Sequence, residues 1–238
     1  MQIIRVYILS FLFLSLISCD LTPTGDYFNR ARDLEIEGKY KKANALLDKA
    51  IEKNPKFRPA LLNRAVNKSI LKDYRGAIED YQKLLEFDPD NALALLNVGN
   101  NFKRIKNYDK AISSYNQALK TEWVVKSEPV SAFLEQDIEI SLQYEFDQDA
   151  EYQVSELEVI YERGIAFVLN KQFKDGIKDM ENLLAQDYYI GDCYYWLGNA
   201  YFGLKDSTSA CQNFIKSAKL GYKDAREKMK EHCLKNKD

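Results

Sequence analysis

Five times along the chain two small residues stand twelve positions apart in the same phase of an amphipathic pattern. The pairs are Ala31/Ala43, Ala65/Ala77, Gly99/Ala111, Gly164/Gly176 and Gly198/Ala210. Residues 93–123 show the context. Leu95, Val98, Gly99 and Phe102 recur at i, i+3, i+4 and i+7; Tyr108, Ala111, Tyr115, Ala118 and Leu119 then repeat the helical phase, with only residues 105–107 between. Two helices joined by a tight turn follow, crossing closely where neither carries more than a methyl group. Ten small residues out of ten in fixed phase restrict the chain to a series of such hairpins.

The aromatics that open the second helices, Tyr40, Tyr74 and Tyr108, are 34 residues apart. A helix–turn–helix unit of this length, with its large, small and aromatic positions, resembles the tetratricopeptide repeat. Unit one carries Tyr27, Ala31, Leu34, Gly38, Tyr40, Ala43, Leu47, Ala50 and Pro55 on that pattern, and unit two ends at Pro89. In units three, four and five, Trp123, Tyr188 and Tyr222 stand in the proline place. The resemblance implies an all-α fold: a right-handed α-solenoid of five hairpins, units one to three over residues 24–123 and units four and five over 157–222. Ser207 departs from the aromatic expected there, which predicts a ragged start to the last second helix. Residues 223–238 form a polar-backed capping helix, N-capped at Asp224, with Ala225, Met229 and Cys233 on its apolar face.

The phase breaks once. Phe173 follows Tyr108 by 65 residues, one period plus an insertion of 31. Within 124–156, residues 138–146 alternate apolar and polar, and 151–155 offer a returning strand, so a β-hairpin arm is expected; a distorted helical pair is the alternative. From Lys126 to Glu158 ten acidic residues face that single lysine. They read either as a recognition arm for a basic partner or as charges protecting strand edges.

Residues 1–18 place Arg5 before a short apolar run, the layout of a secretory signal rather than a spanning helix. Leu16, Ile17, Ser18 and Cys19 resemble the lipobox of bacterial lipoproteins. That resemblance implies cleavage before Cys19, a diacylglyceryl group on its thiol and a membrane-anchored envelope protein, with the outer membrane preferred. Residues 19–26 read as a polar tether.

The formal charge of −2 argues against nucleic acid as the partner. One histidine and no cysteine pair at zinc spacing leave no expected metal or cofactor site. No nucleophile–base set or phosphate loop is visible, so no enzyme and no catalytic residue is expected. Glu79 and Asp80 read as a solvated helix face, and His232 as an exposed surface residue. Cys193 and Cys211 occupy places filled by Ala or Ile in other units and read as core residues. An exported compartment permits Cys211 and Cys233 to pair and fasten the cap to unit five; free thiols are the other outcome.

In tetratricopeptide-repeat proteins the first helices line a concave groove that takes peptides or proteins. Mapping those positions selects Asn29, Asn63 and Asn97 as an amide ladder, with Asn100, Lys103 and Arg104 beside it. Tyr161, Tyr195 and Asn199, together with Phe202, lie toward the far end. Family members that clamp a C-terminal carboxylate use a Lys/Asn/Lys/Arg set, and here Phe28 and Leu93 stand in the lysine places. The expected function is a membrane-anchored scaffold for a protein or peptide partner. A surface lipoprotein that captures glycan or peptide on Tyr161, Tyr195 and Phe202 is the alternative.

Overall fold

The structure is a computed structural model and describes residues 22–126 and 153–233. Among these are eleven helices: α1 Thr24–Ile36, α2 Tyr40–Lys53, α3 Arg58–Ile70, α4 Tyr74–Leu85, α5 Ala92–Arg104, α6 Tyr108–Ala118, α7 Glu156–Leu169, α8 Phe173–Leu184, α9 Ile190–Gly203, α10 Ser207–Lys219 and α11 Lys223–His232. They form the expected hairpins, each helix packing on the one that follows it in α1/α2, α5/α6, α7/α8 and α9/α10. The signal segment, Cys19 and the alternating residues 138–146 lie outside the described residues. No described helix is long and apolar enough to cross a membrane.

The chain divides at Ala60 into two compact units. In the first, Tyr27, Ala31, Ala43, Leu47, Ala50 and Ala60 form the core, with Phe28 edge-on to Phe57 at 5.5 Å. Helix α1 already begins at Thr24, so the last three residues of the tether read over 19–26 are helical.

In the second unit the small positions do what their phase implies. A Cβ on Gly99 would come within 2.4 Å of the Tyr115 ring, and one on Gly198 within 2.5 Å of Phe214. In units three and five the ring supplied four residues after the second small residue lies on the first, and only hydrogen leaves room for it. Tyr81, Tyr115, Met180 and Phe214 hold this place in units two to five, each essentially fully buried.

Each turn between the two helices of a unit uses one left-handed residue: Gly38, then Lys72, Lys106, Lys171 and Lys205, with φ of 71°, 66°, 61°, 61° and 64°. The N–H that follows reaches back to the carbonyl five residues earlier, as from Asp73 to Lys68 and from Asn107 to Phe102. This satisfies carbonyls that a helix end leaves open. Asp73, Asn107 and Asp206 then cap α4, α6 and α10 by accepting from the N–H three residues on. Asp206 gives α10 a clean start at Ser207, correcting the ragged one anticipated there. The last helix starts at Lys223 behind Tyr222, so Asp224 lies inside its first turn rather than at the cap.

The insertion leaves and returns at one place. Val124–Val125 and Val154–Ser155 pair as two short parallel strands, β1 and β2, and the Val154 N–H donates to the Trp123 carbonyl. A small β element is thus present, and it closes the neck of the insertion. The stacking of unit four on unit three therefore continues across it. Arg163 donates to Asn116 at 2.9 Å, Asn170 to Asp109 at 2.8 Å, and Lys103 pairs with Glu162.

Two surface readings are corrected. Asp80 is 1% exposed and takes Arg64 Nε and Nη2 at 2.8 and 2.6 Å, with Lys68 Nζ at 2.7 Å. Its helix surface faces α3, and a carboxylate there needs a fork of donors to be buried at all. His232 lies against the Phe202 ring at 4.3 Å and is half-buried, because α11, packed on α10, brings its last turn beside the end of α9.

Candidate functional site

An open cavity of about 400 Å³ lies between the first helices of units two and three. Helix α3 contributes Val66, Ser69 and Ile70; α5 contributes Asn97, Asn100, Asn101 and Arg104; Lys72 and Tyr74 come from the turn into α4. These residues converge because α3 and α5 present the same repeat phase 34 residues apart. The wall on the α3 side is apolar, with Val66 and Ile70 exposed, and the α5 side is amide and guanidinium.

Hydrogen bonds set which groups remain available. The Tyr115 hydroxyl donates to Asn100 Oδ1 at 2.8 Å, leaving the Asn100 NH2 as its outward donor. Ser69 Oγ donates to Asn101 Oδ1 at 2.9 Å, and Asn101 Nδ2 donates to the Asn97 carbonyl at 2.8 Å. Ser69 and Asn101 thereby brace the floor. The Asn97 side chain has no hydrogen-bond partner among the described residues, so both ends of its amide are open. Lys72 and Arg104 make no ion pair with a described carboxylate, and they set a positive potential at the mouth. Burial raises the Tyr115 hydroxyl far above its usual range, while Arg104 opposes the shift.

The sequence-predicted residues fall into three groups. Asn97, Asn100 and Arg104 line the cavity together. Lys103 points the other way, into its pair with Glu162 of α7; burial, then Arg104, pushes its ammonium down to about 8. Asn63 on α3 is half-buried, and Asn29, in the first compact unit, is exposed. Asn199 turns its NH2 back to the Tyr195 carbonyl at 2.9 Å. Tyr161 and Tyr195 join a separate aromatic group near the start of α9, while Phe202 is taken up by His232. Three cavity residues escaped the sequence reading, Ile70, Lys72 and Asn101. Lys72 carried one signal: it falls in the phase of Gly38, the left-handed turn position.

Cys211 and Cys233 are joined in a disulfide that fastens α11 to α10, and Cys193 is a free, buried thiol, pushed up to about 12 by burial and then by Asp192. No three His, Cys, Asp or Glu side chains converge to hold a metal ion among the described residues.

Residues 70–106 match the model of the TPR repeat, and residues 92–122 and 191–224 match that of the tetratricopeptide repeat. These segments are tetratricopeptide repeats, within units two, three and five of the series. No curated protein sequence matches the chain significantly. Among solved structures the chain is similar to MamA, with a TM-score of 0.64 at 17% identity over 89% of this chain and 96% of that one. It is similar to YrrB, described as a TPR protein with an unusual peptide-binding site, with a TM-score of 0.60 at 16% identity over 80% and 82%. It is also similar to pilF of Pseudomonas aeruginosa, with a TM-score of 0.56 at 18% identity over 82% and 75%. At these identities the likeness is one of fold.

Proposed function

We propose that this protein is an interaction scaffold that holds an extended peptide segment of a partner protein along α3 and α5. One observation carries the reading: an open cavity between two first helices, lined by an amide and two cations that have no partner among the described residues. Asn97 donates to and accepts from one peptide unit of an extended chain, as its two-ended amide allows. Val66 and Ile70 take an apolar side chain, and Lys72 and Arg104 favour a segment with acidic character. The presence of tetratricopeptide repeats, and the fold shared with a protein described as having a peptide-binding site, support it. The scaffold works at a bacterial membrane surface, anchored by lipid on Cys19; the lipobox-like residues 16–19 behind an apolar run support this part.

The test pairs a displayed peptide library, selected on the full-length protein, with Asn97→Ala and Arg104→Ala together. These two leave the Tyr115–Asn100 bond intact, which Asn100→Ala would orphan. Selected peptides should lose at least about tenfold in affinity, equivalent to about 1.4 kcal/mol, with the helical circular dichroism unchanged. Undiminished binding overturns the groove assignment. In the same cells Cys19→Ser should release the protein from the membrane fraction and end incorporation of a labelled fatty acid; retention of both overturns the anchor alone.

A further inference from the structure

Asp192 stands in the first turn of α9 with its carboxylate among tyrosines. It accepts from the Tyr161 hydroxyl at 3.2 Å, and after burial it is the main group raising the hydroxyl of Tyr222, at the entrance to α11. The Tyr161 ring lies 5.0 Å from that of Tyr189, Tyr189 lies 4.4 Å from Tyr188, and Tyr222 lies 5.0 Å from Tyr195. Rings from α7, the loop before α9, α9 itself and the start of α11 thus form two linked groups, one of which holds the acid through Tyr161. No described Lys, Arg or His pairs with it. Phenol hydroxyls orient a carboxylate without cancelling its charge, and aromatic faces add negative potential of their own.

A node that only holds repeats together does not account for Tyr189. Its backbone is left-handed, φ 44°, two residues after Asp187 at φ 52°, a conformation that bulky side chains rarely adopt. Yet the residue stays 55% exposed, even with its ring tilted against those of Tyr161 and Tyr188. A strained, largely exposed tyrosine packed on the ring that holds an acid without a described cation is arranged for something that arrives from outside.

We infer that this surface binds a cationic side chain, a guanidinium above all, of a polypeptide partner. The planar group lies on the Tyr189 face while its N–H fork meets Asp192, a combination that suits arginine. These residues are distinct from those of the cavity on α3 and α5, and the inference stands without it.

The protein with isotope-labelled tyrosine rings is titrated with the capped tripeptide Gly-Arg-Gly and with its citrulline counterpart, neutral and nearly the same shape. Ring signals of Tyr161, Tyr189 and Tyr222 should shift saturably with the arginine peptide, and the citrulline peptide should bind roughly tenfold more weakly or not at all. Asp192→Asn, which still accepts from the Tyr161 hydroxyl, should weaken the arginine peptide by a similar factor. Tyr189→Gly relieves the backbone and removes the ring, so it should melt higher while binding several-fold less. Equal binding of citrulline, no effect of Asp192→Asn, saturation of the same rings by a chito-oligosaccharide in place of the arginine peptide, or no saturable shift up to about 10 mM peptide overturns the inference.

Discussion

Units two and four fill one layer of their hairpins with an ion pair; units three and five fill the same layer with an apolar side chain. In unit four Arg163 Nε and Nη2 reach Asp179 at 2.8 and 2.7 Å, as Arg64 reaches Asp80 in unit two, with sixteen residues between partners in both. The equivalent residues in units three and five are Val98 with Ser114 and Leu197 with Asn213. There the polar member turns away: Ser114 Oγ donates to the Lys110 carbonyl and Asn213 Nδ2 to the Ser209 carbonyl, each one turn back along its own helix. Burial raises the Asp179 carboxyl above its usual range, against the opposing pull of Arg163. The comparison teaches that the small pair and its covering side chain define the hairpin, while the adjoining layer accepts either chemistry so long as it is complete.

An incomplete layer should be the most damaging. Asp80→Ala leaves Arg64 largely buried without its bidentate partner and should cost about 3–5 kcal/mol, read as an earlier urea midpoint. Arg64→Val with Asp80→Ser, which copies unit three, should restore stability to within about 1 kcal/mol of the parent. A double variant no better than Asp80→Ala would break the equivalence of the two layers.

The covering side chain gives the middle-sized effect. Gly99→Ala drives a methyl group into the Tyr115 ring and should cost about 1–3 kcal/mol. Gly164→Ala meets the far end of the Met180 chain at 2.6 Å, which can swing aside, and Asp179 Cβ at 3.0 Å, which must give slightly, and should cost less than about 1 kcal/mol. Equal thermal shifts in the two variants would show that rigidity of the covering group does not matter.

The smallest effect lies at the caps. Gln172 has φ −84° and ψ 61°, against −82° and 68° for Asp73, yet its side chain accepts nothing. Gln172→Asp should therefore stabilise unit four by about 1 kcal/mol, visible as slower amide exchange in the first turn of α8. Unchanged exchange would mean that this unit differs from the others in more than its capping residue.

The residues of the cavity were legible to the extent that they depend on phase along one helix. Asn97, Asn100 and Arg104 share the groove side of α5, and helical spacing alone places them there. What their neighbours do with them was not legible. Lys103 belongs to the same stretch, but its partner Glu162 is 59 residues on, beyond the insertion. Asn100 is half-occupied by Tyr115, whose hydroxyl extends past the core its ring fills. Lys72 was hidden because lysine carries no signature of left-handed backbone, and only register with Gly38 points to it.

Periodicity in the sequence determined the hairpins, their order, the small residues at their crossings and the position of the insertion, because each depends on spacing within about one repeat. Tertiary structure alone decided which carboxylates are buried, which amides stay open, that the ends of the insertion meet as parallel strands, and that tyrosines from four elements gather near the start of α9. Those outcomes depend on desolvation and on partners distant in sequence. A polar side chain's fate is set by what lies across from it, and a one-dimensional pattern does not carry that.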